Sequence, residues 1–178
     1  ALVPDLAKFG NISGTKLSGQ IALNADIDAN LNNQKSPLKS ANVDIKAMDG
    51  IITANLDNGK LKAKIQNILV QNIFLMIGQK PLLNGELNGE LNLDSIDIAN
   101  LNGKGDIKLE NGVLNVANLK ELTNNESPQT TTLNAHIKPT FTNSTVHFAS
   151  IINSNLATIN KFDGSYDINK NSLEALYN

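Results

Sequence analysis

Between residues 20 and 31 the apolar side chains fall on alternate positions. Ile21, Leu23, Ala25, Ile27, Ala29 and Leu31 lie on one face, and Gln20, Asn24, Asp26, Asp28 and Asn30 on the other. Successive side chains of an extended strand point to opposite sides, so a period of two is incompatible with a helix here and specifies a strand wet on one face. At about 3.4 Å per residue the segment reaches roughly 40 Å, which is long for a globular sheet. Residues 32–40, with Ser36-Pro37 in the middle, break the pattern and read as a loop.

The same period lets register be tested by arithmetic over residues 41–66. If Asp49-Gly50 and Asn58-Gly59 are two-residue hairpin loops, the first pairs Ala47 with Ile52, Ile45 with Ala54 and Val43 with Leu56. The second pairs Leu56 with Leu61, Ala54 with Ala63 and Ile52 with Ile65. Every partner is apolar, while Asp44, Lys46, Asn55, Lys62 and Lys64 share the opposite face. A slip of one residue would bring the charges inside, so the segment reads as a three-strand antiparallel meander with one apolar face.

Over residues 67–78 the period changes. Ile68, Leu69, Asn72, Ile73, Leu75, Met76 and Ile77 fit a short helix, with Gly78 and then Pro81 as its stop. It is apolar around most of its circumference, which suits a cap on the sheet's core or a plug at the end of a hydrophobic groove. Residues 82–116 return to strand, turn and strand. Gly89 belongs within a strand, as Gly103 and Gly105 can, whereas a tight turn at Asn111-Gly112 pairs Leu109 with Leu114 and Ile107 with Val116. Residues 95–100 and 117–124 read as short loops or helical turns, and 126–129 as a surface loop. Leu133, Ala135 and Ile137 resume the alternation. Val146, Phe148, Leu156, Phe162, Tyr166 and Ile168 continue it in short strands, with Asn143-Ser144 and Asp163-Gly164 as turns and a last strand starting in 172–177.

The expected fold is therefore mainly β: an elongated, curved antiparallel sheet of groove or half-pipe type with one or two short helices. It forms a single domain over residues 1–178, comprising an N-terminal strand and loop (1–40), a meander plus short helix (41–81) and a second meander (82–178). We expect it to be a segment of a longer protein. The longest apolar run, residues 73–77, is far below the ~20 residues a spanning helix needs.

Composition narrows the chemistry. A formal charge of −2 provides no basic footprint for phosphate, and five Phe, two Tyr and no Trp provide few rings for stacking on bases, so nucleic acid is not an expected partner. With no cysteine there is no disulfide, thiolate ligand or sulfur nucleophile. His136 and His147 are isolated on strands and too few for a zinc site. The glycines lack the strand-to-helix setting of a dinucleotide loop, and no nucleophile elbow or P-loop occurs. The carboxylate pairs Asp26/Asp28 and Asp94/Asp97 are of the kind glycosidases use but occupy positions expected to be solvated. We therefore expect no enzyme, no metal and no cofactor. Aliphatic residues supply most of the apolar share, which suits burial of a core or of an acyl chain.

From residue 61 to 177 the order of elements resembles the C-terminal region of the AsmA-like family, relatives of the TamB-type group. The resemblance rests on the segment IQNILVQNIFLMIGQKPLL, the L-x-G-E-L-x-L run at Leu87 to Leu93, and LNGKGDIKLENGVLNVANLKEL. It continues through TLNAHIKPTFTNSTVHFASIINSN and FDGSYDINKNSLEAL. It implies a bacterial envelope protein held in the inner membrane by a segment absent from this chain, with its mass in the periplasm. Its curled sheet would bind or conduct phospholipid and support the outer membrane. On that reading the lipid-facing wall comprises Val43, Ile45, Ile52, Leu56, Leu61, Ile65, Leu91, Leu93, Ile107, Leu109, Leu114 and Val116. An equally good account has these residues closing on each other, or on the helix, as an ordinary core. An alternative function is an assembly or adhesion scaffold whose sheet edges pair with envelope protein partners.

Overall fold

A computed structural model describes residues 2–3, 21–29, 38–123, 131–156, 158–170 and 172–177. The expected loop at 126–129, most of that at 32–40, and residues Gln20, Asn30 and Leu31 lie outside them. The described strands are β1 (Leu2–Val3), β2 (Ile21–Ala29), β3 (Leu38–Ala47), β4 (Gly50–Asp57), β5 (Lys60–Leu69), β6 (Leu83–Ser95), β7 (Asn102–Leu114), β8 (Thr132–Thr142), β9 (Thr145–Ser154), β10 (Thr158–Asp167) and β11 (Ser172–Tyr177). Helix α1 spans Val70–Met76, α2 spans Val116–Thr123, and a single 3-10 turn spans Ile98–Asn100. The strands form one antiparallel sheet in strict sequence order, β1 to β11, each paired only with its neighbours in the chain. It is an open, curved sheet, about 48 Å across at the usual strand spacing of about 4.8 Å.

The meander expected over 41–66 is present, with one turn displaced. Asn58 (φ 48°) and Gly59 (φ 79°) form the second loop, and the pairs Leu56–Leu61, Ala54–Ala63 and Ile52–Ile65 stand as derived. The first loop is Met48 (φ 54°) and Asp49 (φ 60°), not Asp49-Gly50, so Ile45 pairs with Ile52, Val43 with Ala54 and Ala47 with Gly50. Moving a turn by one residue changes the register by two, which leaves every side chain on its expected face. The cause lies outside the hairpin. A Cβ on Gly50 would stand 2.5 Å from the Gln66 carbonyl oxygen and 2.7 Å from the Asn67 backbone. Gly50 is needed for that close approach inside β4, and the left-handed pair falls on the two residues before it.

Asn111-Gly112 is not a hairpin turn. Only Asn111 is left-handed (φ 52°), and a single such residue makes a bulge within β7 rather than reversing it. The strand pairs on both sides, Leu109 with Leu87 and Ala135, and Ile107 with Gly89 and Ile137. Val116, expected as a strand partner of Ile107, is the first residue of α2. Asp163-Gly164 likewise lies inside β10, where the Phe148 ring occupies the space of the absent Cβ. The chain reverses instead at residues 168–170, so Ile168 is a turn residue, and Leu156 sits exposed in the bend between β9 and β10. The turn at Asn143-Ser144 is present, with Asn143 at φ 54°.

Helix α1 starts later than the apolar pattern suggested, because Ile68 and Leu69 still belong to β5. Past a register shift between Ile65 and Ile68, Ile68 pairs with Leu87 and becomes the most buried core residue, 2% exposed. The helix ends as expected at Gly78 (φ 72°). Its N–H donates to the Leu75 carbonyl at 3.0 Å, and the Gln79 N–H donates to that of Phe74 at 2.8 Å, which together make a Schellman cap.

Candidate functional site

Pairing and alternation together place side chains on faces. In β3 to β7 one face carries Val43, Ile45, Ile52, Leu56, Leu61, Ile65, Leu91, Leu93, Ile107, Leu109 and Leu114, which is every expected wall residue except Val116. Cross-strand rows are continuous: Ile45, Ile52, Ile65, Gly89 and Ile107 form one, and Leu56, Leu61, Leu93 and Gly103 another. The face extends beyond the expected wall. Leu133, Ile137, Phe141 and Phe148 continue it through β8 and β9, and Phe148 stacks on Phe162 of β10 with ring centroids 5.9 Å apart. The alternation in residues 133–137 signals this extension, but the aromatic end emerges only when β9 and β10 are placed in register.

No second layer lies over this face among the described residues. At the centre of the face Leu56, Leu93 and Leu109 are 6–8% exposed, while Ile27 on β2 is 59% and Leu173 on β11 is 66% exposed. Glycine makes the close centre possible. A Cβ on Gly85 would stand 2.9 Å from Cδ1 of Leu109, one on Gly103 2.8 Å from Cδ2 of Leu93, and one on Gly105 2.9 Å from Cγ of Pro139. Large side chains of one strand therefore lie across the bare backbone of the next, so the middle of the face is a packed floor and its two ends are open.

The two described helices, α1 and α2, sit where strands end along one rim of the sheet. Asn72 Nδ2 of α1 donates to Asp49 Oδ2 at 2.7 Å, the Gly85 N–H donates to Gln71 Oε1 at 3.2 Å, and Val70 is buried. Asn118 Nδ2 of α2 donates to the Pro81 carbonyl at 2.7 Å, and Lys80 pairs with Glu121. This places α1 beside the ends of β5 and β6 rather than at either outer edge of the sheet. No described helix is long and apolar enough to cross a membrane.

The opposite face is polar. Asn55 Nδ2 donates to Asn42 Oδ1 across β3 and β4 at 2.6 Å, and Lys62, Lys64, Glu90 and Asn92 line a shallow depression of about 370 Å³ beside them. His136 Nε2 and Asp106 Oδ1 lie 2.8 Å apart, diagonal to one another across β7 and β8. The hydrogen bond from His136 holds the Asp106 carboxyl below its ordinary range; desolvation opposes it, and the charges of His136, Lys108 and Lys138 add weaker attraction. Of the candidate carboxylates, Asp97 caps the 3-10 turn, accepting from the Ala99 N–H at 3.1 Å and Asn100 Nδ2 at 2.9 Å. The Asn100 bond, then that from Ala99, lowers its pKa. Asp26 and Asp28 are exposed on β2. No group of three or more metal-ligating side chains occurs among the described residues. Comparison with known protein families, curated proteins and solved structures finds no match to this chain.

Proposed function

We propose that the apolar face is a trough that holds the acyl chains of a phospholipid or similar lipid. The observation that supports this is the continuous aliphatic face, uncovered among the described residues, running across successive strands with charged and amide side chains confined to its back. A sheet that needed only a core would bury that face against a second layer. Each buried methylene is worth about 0.8 kcal/mol, so even a partly covered acyl chain would gain several kcal/mol before ordering costs. The contacts are non-directional, which fits a binder of hydrocarbon rather than a catalyst. On this reading the resemblance to AsmA-like and TamB-type proteins supports a periplasmic setting, with anchorage in the inner membrane and a role in lipid movement toward the outer membrane.

Mild purification, organic extraction and mass spectrometry test the proposal, with Ile137→Glu as the comparison. Ile137 is half-buried in the trough, so the charge should expel lipid while the backbone register survives. Stoichiometric lipid in the parent chain and its loss in the variant are expected. A lipid-free parent chain of undiminished stability would refute the proposal and favour the scaffold reading. That alternative draws on β11, which among the described residues pairs only with β10 and leaves its far edge open.

A further inference from the structure

The sequence contains five Asn-Gly pairs, at residues 58–59, 84–85, 88–89, 102–103 and 111–112. This dipeptide is the one most prone to cyclise, because glycine leaves its own backbone nitrogen unshielded. We infer that the fold protects four of these pairs and leaves Asn58-Gly59 as a site of spontaneous covalent modification by deamidation.

The four protected pairs are built into β6 and β7. The Gly85 N–H donates to Gln71 Oε1 at 3.2 Å. Gly89 is paired on both sides, with Ile65 and Ile107, and Gly103 likewise with Leu93 and Phe141. Gly112 is buried against β8, where even a Cβ would meet the Leu133 carbonyl oxygen at 2.0 Å. For the pairs at 84–85, 88–89 and 102–103 cyclisation requires the Asn backbone to leave its strand, so the ladder must first break, whereas Asn111 is already left-handed and its pair is held by the burial of Gly112 and the pairing of Gly112 with Leu133.

Asn58-Gly59 is in the hairpin loop between β4 and β5. Asn58 is exposed, both residues are left-handed, and nothing lies within 4 Å of where a Cβ on Gly59 would be. The loop is bracketed by the pair Asp57–Lys60, and among the described residues no hydrogen bond holds the Gly59 N–H. At mildly alkaline pH the deprotonated Gly59 nitrogen attacks Cγ of Asn58. A C–N bond forms, the side-chain nitrogen leaves with a proton from solvent as ammonia, and a five-membered succinimide results. Water then opens either carbonyl, giving aspartate or an isoaspartyl linkage, with no change of oxidation state.

The product alters the loop in two ways. Asn58 Nδ2 donates to Asp57 Oδ1 at 2.9 Å, and that bond is replaced by two adjacent carboxylates. The isoaspartyl form also lengthens the backbone inside a two-residue turn. The turn is tied to its neighbours, with the Asn58 N–H donating to the Lys39 carbonyl at 2.9 Å and the Ile96 N–H to that of Gly59 at 3.2 Å. Modification would therefore loosen the rim of the sheet opposite the two helices.

The folded chain, aged in mildly alkaline buffer beside a sample in concentrated urea, is followed by peptide mapping with mass spectrometry that resolves aspartyl from isoaspartyl peptides. In the folded sample Asn58 should convert at least about tenfold faster than any other Asn-Gly pair, while in urea all five convert at comparable rates. Conversion of Asn84, Asn88, Asn102 or Asn111 as fast as Asn58 in the folded chain overturns the inference. So does an intact Asn58 in the folded chain when the urea sample has reacted.

Discussion

Replacing Leu109 by alanine asks whether a sheet without a covering layer has a core. Leu109 is 6% exposed, with Cδ1 against Gly85 and Cδ2 against Gly112, so it lies along the floor of the trough instead of projecting from it. Truncation removes three carbons, each worth about 0.8 kcal/mol when buried, or about 2.4 kcal/mol. No large cavity should add to this, because the vacated space opens toward solvent on the trough side, so the loss belongs at the low end of the range for buried leucines, about 2–3 kcal/mol. Leu173, 66% exposed on β11, is the matched control and should lose less than about 0.5 kcal/mol on the same substitution. With a urea m-value of about 2 kcal/mol/M, the Leu109→Ala midpoint falls by about 1 M and the control barely moves. Urea titrations followed by far-ultraviolet circular dichroism measure both. Equal losses for the two variants would refute the reasoning, since the centre of the face would then be no better packed than its edge.

Three further outcomes are expected. Gly112→Ala forces a Cβ to within 2.0 Å of the Leu133 carbonyl oxygen, so it should cost about 1–3 kcal/mol in urea titrations, and hydrogen exchange should show the loss concentrated in β7 and β8. Asn111→Val places a β-branched residue at φ 52° and should cost about 1–2 kcal/mol by the same titration, whereas Asn111→Gly should be tolerated. The pKa of Asp106 is depressed chiefly by His136, so this interaction contributes its stability above the unfolded carboxylate pKa and loses it as pH falls through the lower folded value. Carbon-detected NMR titration should give an Asp106 midpoint below that of an ordinary aspartate, and His136→Ala should move it upward. An unchanged midpoint would show that the hydrogen bond has no such effect.

The strand content, the polar and apolar faces, the loop at Asn58-Gly59 and the stop at Gly78 were all legible in the amino-acid order. Each depends on side-chain period or on the conformational freedom of one or two adjacent residues, which are properties of a short stretch of chain. The fate of the other turn-like dipeptides was not legible. A left-handed asparagine can reverse a chain or bulge a strand, and at Asn111 the choice follows from β6 and β8 pairing on either side. Gly50 was displaced from its turn by the Asn67 backbone, seventeen residues along the chain and brought close only by the pairing of β4 with β5. Among the candidate wall residues, parity placed those in β3 to β7 on one face except Leu114, which shares the face of Ile107 and Leu109 only through the bulge at Asn111, while Val116 left it because a helix begins there. The sequence by itself determined that there would be a long sheet with one apolar side. Whether that side would be covered was decided in three dimensions. Each strand pairs only with its neighbours and both helices settle on a rim, so nothing in the described chain folds back across the trough.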